Sequence, residues 1–494
     1  AFLYWQVVTK ESLGPDSGSL PVTFRGYPLS SQDGPFGKLL GTGTAPCWSS
    51  GGGTGSSQGA NRTYSYRADV LRFFDVGDNG KFVVNGSHQV QVPDGGGPSA
   101  LGASLVVVYR DSSLPLSAIV LYDGDHTMDN STQSMSTTIA GFYQAASGTV
   151  AAKLTHIGGS GQDNKGERLL VNGVEIARDP FAETLGPNWD APTFDLSALP
   201  GLAGAAALTT TVDRGDSSNS DCLTWSAVVF KTTVQDSDGD GLLDVWETAP
   251  ALLDPNGQPL PNLKDMGALP GRKDIFVEVG YMKTNAGLTY GGGVPKPAHT
   301  HLPGPEVFKM VGDAFAARGI ALHFDVGPAY HDPEGIAAPY LVAPVYARGG
   351  EAIDETDTVC TRGPQDPPWV CQFSAHPGTV GWKTGFRFLK DQVLSGGETW
   401  PAGTEDPCET PGACERRFDR NRKDMFRYAL FAHAIGLPRS EQPCLDADGT
   451  PVPAVNGACA APLRGNPEFH APRTNTGVGD FPGGDVMITL GGFL

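Results

Sequence analysis

Asp236-Ser237-Asp238-Gly239-Asp240-Gly241-Leu242-Leu243-Asp244-Val245-Trp246-Glu247 is the stretch on which the reading of the chain turns. It fits the twelve-residue pattern D-x-D-x-D-G-x5-E at every position. A hard cation such as Ca2+ takes six to eight oxygens, and this spacing supplies them from one tight loop. Asp236, Asp238 and Asp240 offer carboxylates from one side. Gly241 permits the sharp turn at the sixth position, and Leu242 offers its backbone carbonyl. Asp244 would reach the ion directly or through water, and Glu247 would close the site with both oxygens. An acidic, glycine-rich turn that merely starts a helix would not need every one of these positions filled.

The loop also marks a border. Residues 1–235 read as all-β. Apolar, β-branched and aromatic runs recur between turn signals, as in Phe2–Val8, Tyr66–Phe74, Ser104–Arg110, Thr149–Ile157 and Leu223–Thr233. Asn172-Gly173, between Leu169-Leu170-Val171 and Val174-Glu175-Ile176, is a strong hairpin signal. Many short strands at this spacing predict a β-sandwich. Beyond the loop, residues 249–494 read as α/β. Ile275, Val277, Val279 and Tyr281 alternate as a strand. Glu306–Arg318 then has helical spacing, with Val307, Met310, Val311, Ala314 and Phe315 on one side, Pro305 near its start and Gly319 at its end. Ile320–Gly327 is the next strand, so a β-α-β unit with a parallel pair is expected. The predicted organisation is therefore multidomain: an all-β sandwich at 1–235, a calcium loop at 236–248 and an α/β domain at 249–494.

Composition narrows the function. The 494 residues carry 35 Lys and Arg against 54 Asp and Glu, a net charge of -19. That balance argues against nucleic acid and anionic membranes, which recruit basic patches. No run of 18 apolar residues exists, so no helical membrane span is expected. The chain opens on Ala1-Phe2-Leu3-Tyr4-Trp5, which reads as a strand already under way, as in a processed chain or a piece of a longer one.

Eight cysteines, with no C-x-x-C, point to an oxidising compartment rather than a zinc ribbon. Six form local couples, Cys360/Cys371, Cys408/Cys414 and Cys444/Cys459, each around a Pro/Gly/Asp-rich loop. Cys47 and Cys222 are then left for each other. A secreted or cell-surface location follows.

Other signals are weaker. Gly55-Ser56-Ser57-Gln58-Gly59 matches G-x-S-x-G, but a nucleophile elbow needs a strand before it and a helix after it, and this run is Gly/Ser-rich. The spacing of His299-Thr300-His301 suits two metal ligands on one strand face, yet Pro297 and Pro303 favour a loop. His433 lies in an apolar run and reads as a core histidine. His323 and Asp325, two apart on a strand, read as core or supporting groups. There is no H-E-x-x-H.

In the second half, Asp274–Met282, the helix from Glu306, Ala321–Gly327, Phe426–His433 and Gly484–Gly491 resemble the region before the active-site helix of secreted bacterial zinc metallopeptidases of the zincin class. In the first half, Phe2-Leu3-Tyr4-Trp5, Tyr66–Val70, Leu105–Tyr109 and Leu121–Gly124 resemble a β-domain of bacterial cell-surface and secreted proteins. The first resemblance implies a zincin-like sheet with 485–490 as its edge strand. It brings no catalytic residue, because the motif helix is missing. Zn2+ would enter only with a downstream H-E-x-x-H, expected within a few tens of residues after Leu494. One expectation is thus a calcium-stabilised, secreted peptidase acting on protein or peptide. The alternatives are an adhesin or surface-assembly subunit with a non-catalytic scaffold, and a module binding cell-surface glycan joined to a non-peptidase domain.

Overall fold

The computed structural model describes residues 1–10, 12–13, 22–29, 37–45, 61–75, 82–92, 94, 98–111, 113–128, 132–148, 150–182, 188–214, 223–289, 295–355, 378–381, 384–395, 415–436, 444–453, 455, 459, 461–465, 472–473, 477–479 and 484–489. The chain forms two compact units, one built mainly from Ala1–Gln235 and the other from Asp236–Leu252, Pro259–Glu398 and Pro407–Leu494. The acidic loop belongs to the second unit.

The first unit is a stack of antiparallel sheets. Phe2–Thr9 lies at the centre of one, between Arg62–Asp69 and Ser99–Val106. Ala152–Gly159, Thr224–Thr233 and Ser117–Thr127 form a second. Arg168–Val171, Ala207–Asp213 and Ser134–Ala140 form a third. Leu154, Val228 and Phe230 of the second sheet share a core with Leu169, Val171, Leu208 and Val212 of the third, which makes a sandwich. Tyr4, Val8 and Leu101 meet Ile157, Trp189 and Ala227, so the first sheet covers the other face of the second. Covered on both faces, Phe2–Thr9 is buried almost throughout and reads as a continuous apolar run rather than an alternating one. Its one interior amide, Gln6, donates to Ser65 Oγ at 2.7 Å and Ser226 Oγ at 3.1 Å, which offsets the cost of burying it. The Asn172-Gly173 hairpin forms as expected, with Val171 opposite Val174.

The second unit is organised on Lys273–Thr284, a strand that pairs in parallel with Ile320–Asp325, Glu351–Asp354 and Phe426–Ala432. Phe426–Ala432 pairs in parallel with Val486–Thr489, which pairs antiparallel with Gly477–Gly479. The 486–489 strand is therefore interior, and 477–479 lies outside it, which corrects the expected edge. Pro305–Ala316 is the expected crossover helix, but its inward face differs from the one read above. Phe308 and Gly312 are buried, whereas Val307, Met310 and Phe315 are exposed. Gly312 lets the helix sit against the Tyr340 ring, a contact that apolar periodicity does not register. Under the sheet, buried Arg422 pairs with both Glu278 and Asp325.

Cys444 and Cys459 are joined, with Cα atoms 5.5 Å apart. Closing a loop of that length stabilises by about 3 kcal/mol. Cys47, Cys222, Cys360, Cys371, Cys408 and Cys414 lie outside the described residues, as does 55–59. Among the described residues no helix is long and apolar enough to cross a membrane.

Candidate metal centres

The acidic loop leads into a short helix, Asp244–Thr248. Its carboxylates first build the loop itself. Asp236 accepts from the Gly239 amide at 2.7 Å and the Gly241 amide at 3.0 Å. Asp238 accepts from the Asp240 amide at 3.2 Å, and Asp240 from the Leu242 amide at 2.7 Å. Gly241 has φ +96°, a conformation that costs any residue with a Cβ. The loop is tied to the central strand twice. Asp240 Oδ2 accepts from the Asp274 amide at 2.6 Å, and Lys273 Nζ donates to the Asp238 carbonyl at 2.5 Å.

Asp236, Asp238 and Asp240 each bring an oxygen within 4.8 Å of the others, and so do Asp240, Glu247 and Asp274. Glu247 is 2% exposed, and its Oε1 has no hydrogen-bond partner. Asp238 Oδ2 is also buried without one. A buried, unpaired carboxylate oxygen is costly, and two around one acidic loop call for a cation. The electrostatics agree in direction. Burial, reinforced by Asp240, Asp238 and Asp274, pushes Glu247 up to about 8. Asp274 differs. Burial would raise it, but hydrogen bonds from His323 and Arg272 outweigh that and hold it below the usual carboxylate value. His323 Nε2 lies 2.6 Å from it, stacked on Phe276. Asp274 therefore supports the loop and is already engaged.

Asp244 belongs to neither group, although its charge adds to the rise of Glu247. Its oxygens accept from the Ser237 amide at 2.7 Å and Ser237 Oγ at 2.6 Å, closing the loop's ends on each other. Of the six residues read from the motif, the structure groups Asp236, Asp238 and Asp240, brings Glu247 to Asp240 in a second group with Asp274, and leaves Leu242 and Asp244 outside both.

A second cluster was not legible as a unit. His299, His301, Glu355 and His433 bring one ligand atom each within 4.8 Å of one another. His299 and Thr300 form a strand that pairs with the end of the central strand, Thr284 opposite His299, despite the flanking prolines. His301 continues it, donating its amide to the Met282 carbonyl at 2.9 Å. Glu355 follows Glu351–Asp354, and His433 follows Phe426–Ala432. Glu355 and His433 thus sit at the carboxyl ends of two parallel strands that flank the central one, where functional groups of open α/β sheets collect. His433 is buried, as read from its apolar run, and its ring belongs to this cluster. Glu355 carried no local motif. The usable signal was a histidine or glutamate directly after each of two strands.

No family model and no curated protein matches the chain. Among solved structures, a structure of infectious bursal disease virus, Gx strain, is similar at 11% identity and a TM-score of 0.15, covering 47% of this chain and 56% of that one. The VP2 subviral particle of the same virus gives the same identity, coverage and TM-score. The match spans little more than half of either viral chain, and a TM-score of 0.15 carries no argument about fold or function.

Proposed function

We propose that this is an extracellular calcium-binding protein whose 236–247 loop holds one Ca2+ ion through Asp236, Asp238, Asp240, the Leu242 carbonyl and Glu247. The observation that carries the reading is Glu247 Oε1, buried and unpaired beside Asp240 at the position where the motif requires a closing carboxylate. The ion would neutralise carboxylates that otherwise repel one another inside the unit. It would also fix the loop against the central strand through Asp240 and the Asp274 amide.

The second unit is proposed to be related to zincin-class zinc metallopeptidases. The parallel β-α-β arrangement supports this. A zincin needs two histidines one helical turn apart with a glutamate beside them, and the 494 residues contain no such pair. The chain is therefore expected to show no peptidase activity in a casein or labelled-peptide assay. Hydrolysis lost on chelation would contradict that. For the calcium reading, melting temperature is measured against added Ca2+. The wild type should be stabilised, by about 2.7 kcal/mol at a hundredfold excess over Kd, while Asp236→Ala/Glu247→Ala should not respond. An unchanged response in the double variant would defeat the assignment.

A further inference from the structure

We infer that His299, His301, Glu355 and His433 form a closed, four-ligand site for a tetrahedral divalent metal, zinc by its ligand chemistry, separate from the acidic loop and independent of any H-E-x-x-H motif.

The distances carry the argument. His299 Nε2 lies 3.2 Å from His301 Nε2 and 3.2 Å from Glu355 Oε1. His301 Nε2 lies 3.0 Å from Glu355 Oε1 and 3.3 Å from His433 Nδ1. His433 Nδ1 lies 3.8 Å from Glu355 Oε1. An ion placed about 2.0–2.1 Å from four tetrahedral donors sets their mutual separations at about 3.3–3.4 Å. The five separations bracket that value. Three imidazoles and a carboxylate in this geometry suit Zn2+ better than the oxygen-seeking Ca2+ or Mg2+.

Hydrogen bonding alone does not explain the cluster. His299 Nε2, His301 Nε2 and Glu355 Oε1 form a triangle in which every side is 3.0–3.2 Å. Each corner either carries a proton or does not, so two of the three are alike in every protonation state. One short contact always sets donor against donor or acceptor against acceptor. A cation at the centre accepts a lone pair from each corner and removes the conflict. The surroundings fit that role. His299 Nδ1 lies 2.8 Å from the Pro297 carbonyl, which only accepts. In the neutral ring the proton is therefore on Nδ1, and the Nε2 lone pair faces the cluster, the usual orientation of a metal-bound histidine. Gly378 packs against the site so closely that a Cβ there would lie 2.8 Å from His433 Cβ and 2.9 Å from Glu355 Oε2. Glu355 is fully buried, and the His299 side chain is only 16% exposed. Four protein ligands with so little access describe a structural ion that joins the ends of neighbouring strands rather than one with an open position for substrate.

The test uses the full chain, stripped with a chelator and held in excess Ca2+ so that the acidic loop is filled. Zn2+ is titrated in competition with a chromogenic chelator, and Co2+ is added separately as a spectroscopic probe. The wild type should take one zinc per chain and give the intense visible bands of four-coordinate cobalt. His433→Ala should lose at least about a hundredfold in zinc affinity, beyond what the loss of an outer-shell partner costs. If that variant fails to fold, His299→Ala, at the least buried ligand, gives the same readout. Asp236→Ala/Glu247→Ala should bind zinc as the wild type does. No uptake by the wild type, pale six-coordinate cobalt, undiminished affinity in His299→Ala, or zinc lost with the acidic-loop variant would each overturn the site.

Discussion

The acidic loop and the histidine cluster pose the same physical problem with opposite sequence signatures. The loop gathers its carboxylates within twelve consecutive residues, so the spacing that builds the turn also builds the site. The cluster draws His299 and His301 from one short strand, Glu355 from the end of another and His433 from the end of a third. Only the parallel pairing of 351–354 and 426–432 with the central strand brings them together. A site closed by a turn is written locally, whereas a site closed by a sheet is visible only once the register is known.

The largest expected effect bears on the sheet-closed site. If the ion joins strand ends, removing it should destabilise the second unit by about 4 kcal/mol when zinc is present at a thousandfold excess over Kd. Denaturant unfolding of the wild type with and without zinc measures this. A zinc-independent midpoint would reduce the cluster to ordinary packing.

A control comes from the first unit, where a buried histidine lies outside the metal-ligating groups found among the described residues. His156 is fully buried among Phe181 and Trp225, with Nε2 3.1 Å from Thr210 Oγ1. Burial pushes it down to about 3. The unfolded ring takes its proton near 6.5 and the folded ring only near 3, so the unfolded state binds more protons between those values. The stability contribution is complete above pH 6.5 and is lost as pH falls toward 3, about 2 kcal/mol of it by pH 5. Asp125, raised to about 6 by burial, changes in the opposite sense, being most favourable when protonated. Comparison with His156→Gln isolates the histidine. The variant should show a shallower loss of stability between pH 6.5 and 5, and an unchanged slope would contradict the assignment.

The smallest effect separates the loop's members. Asp244 is engaged by Ser237, so Asp244→Ala should weaken calcium by less than about tenfold, the cost of one or two exposed hydrogen bonds. Glu247→Ala should abolish measurable binding. Calcium titration of the two variants side by side decides it, and equal losses would mean that Asp244 swings onto the ion.

Much of the fold was legible because local chemistry and tertiary structure agree. The Asn172-Gly173 turn, the β-rich first half, the 305–316 helix between parallel strands and the Cys444–Cys459 bridge all follow from short patterns. The misreadings share a cause. Val307, Met310 and Phe315 fit an apolar stripe, but the helix is seated by Phe308 and by the absence of a side chain at Gly312. Pro297 and Pro303 argued for a loop at 299–301, yet two residues between them suffice to pair with the central strand. His433 is buried, as its apolar run implies, but its place beside His301 and Glu355 shows only once the register of the sheet is known.

The two proposed metal sites are chemically distinct and lie in one chain. Elemental analysis after equilibrium dialysis against both Ca2+ and Zn2+ tests that most directly. The wild type should hold one calcium and one zinc, Asp236→Ala/Glu247→Ala should hold zinc alone, and His433→Ala should hold calcium alone. Zinc absent from the wild type, or both metals lost together in either variant, would contradict it.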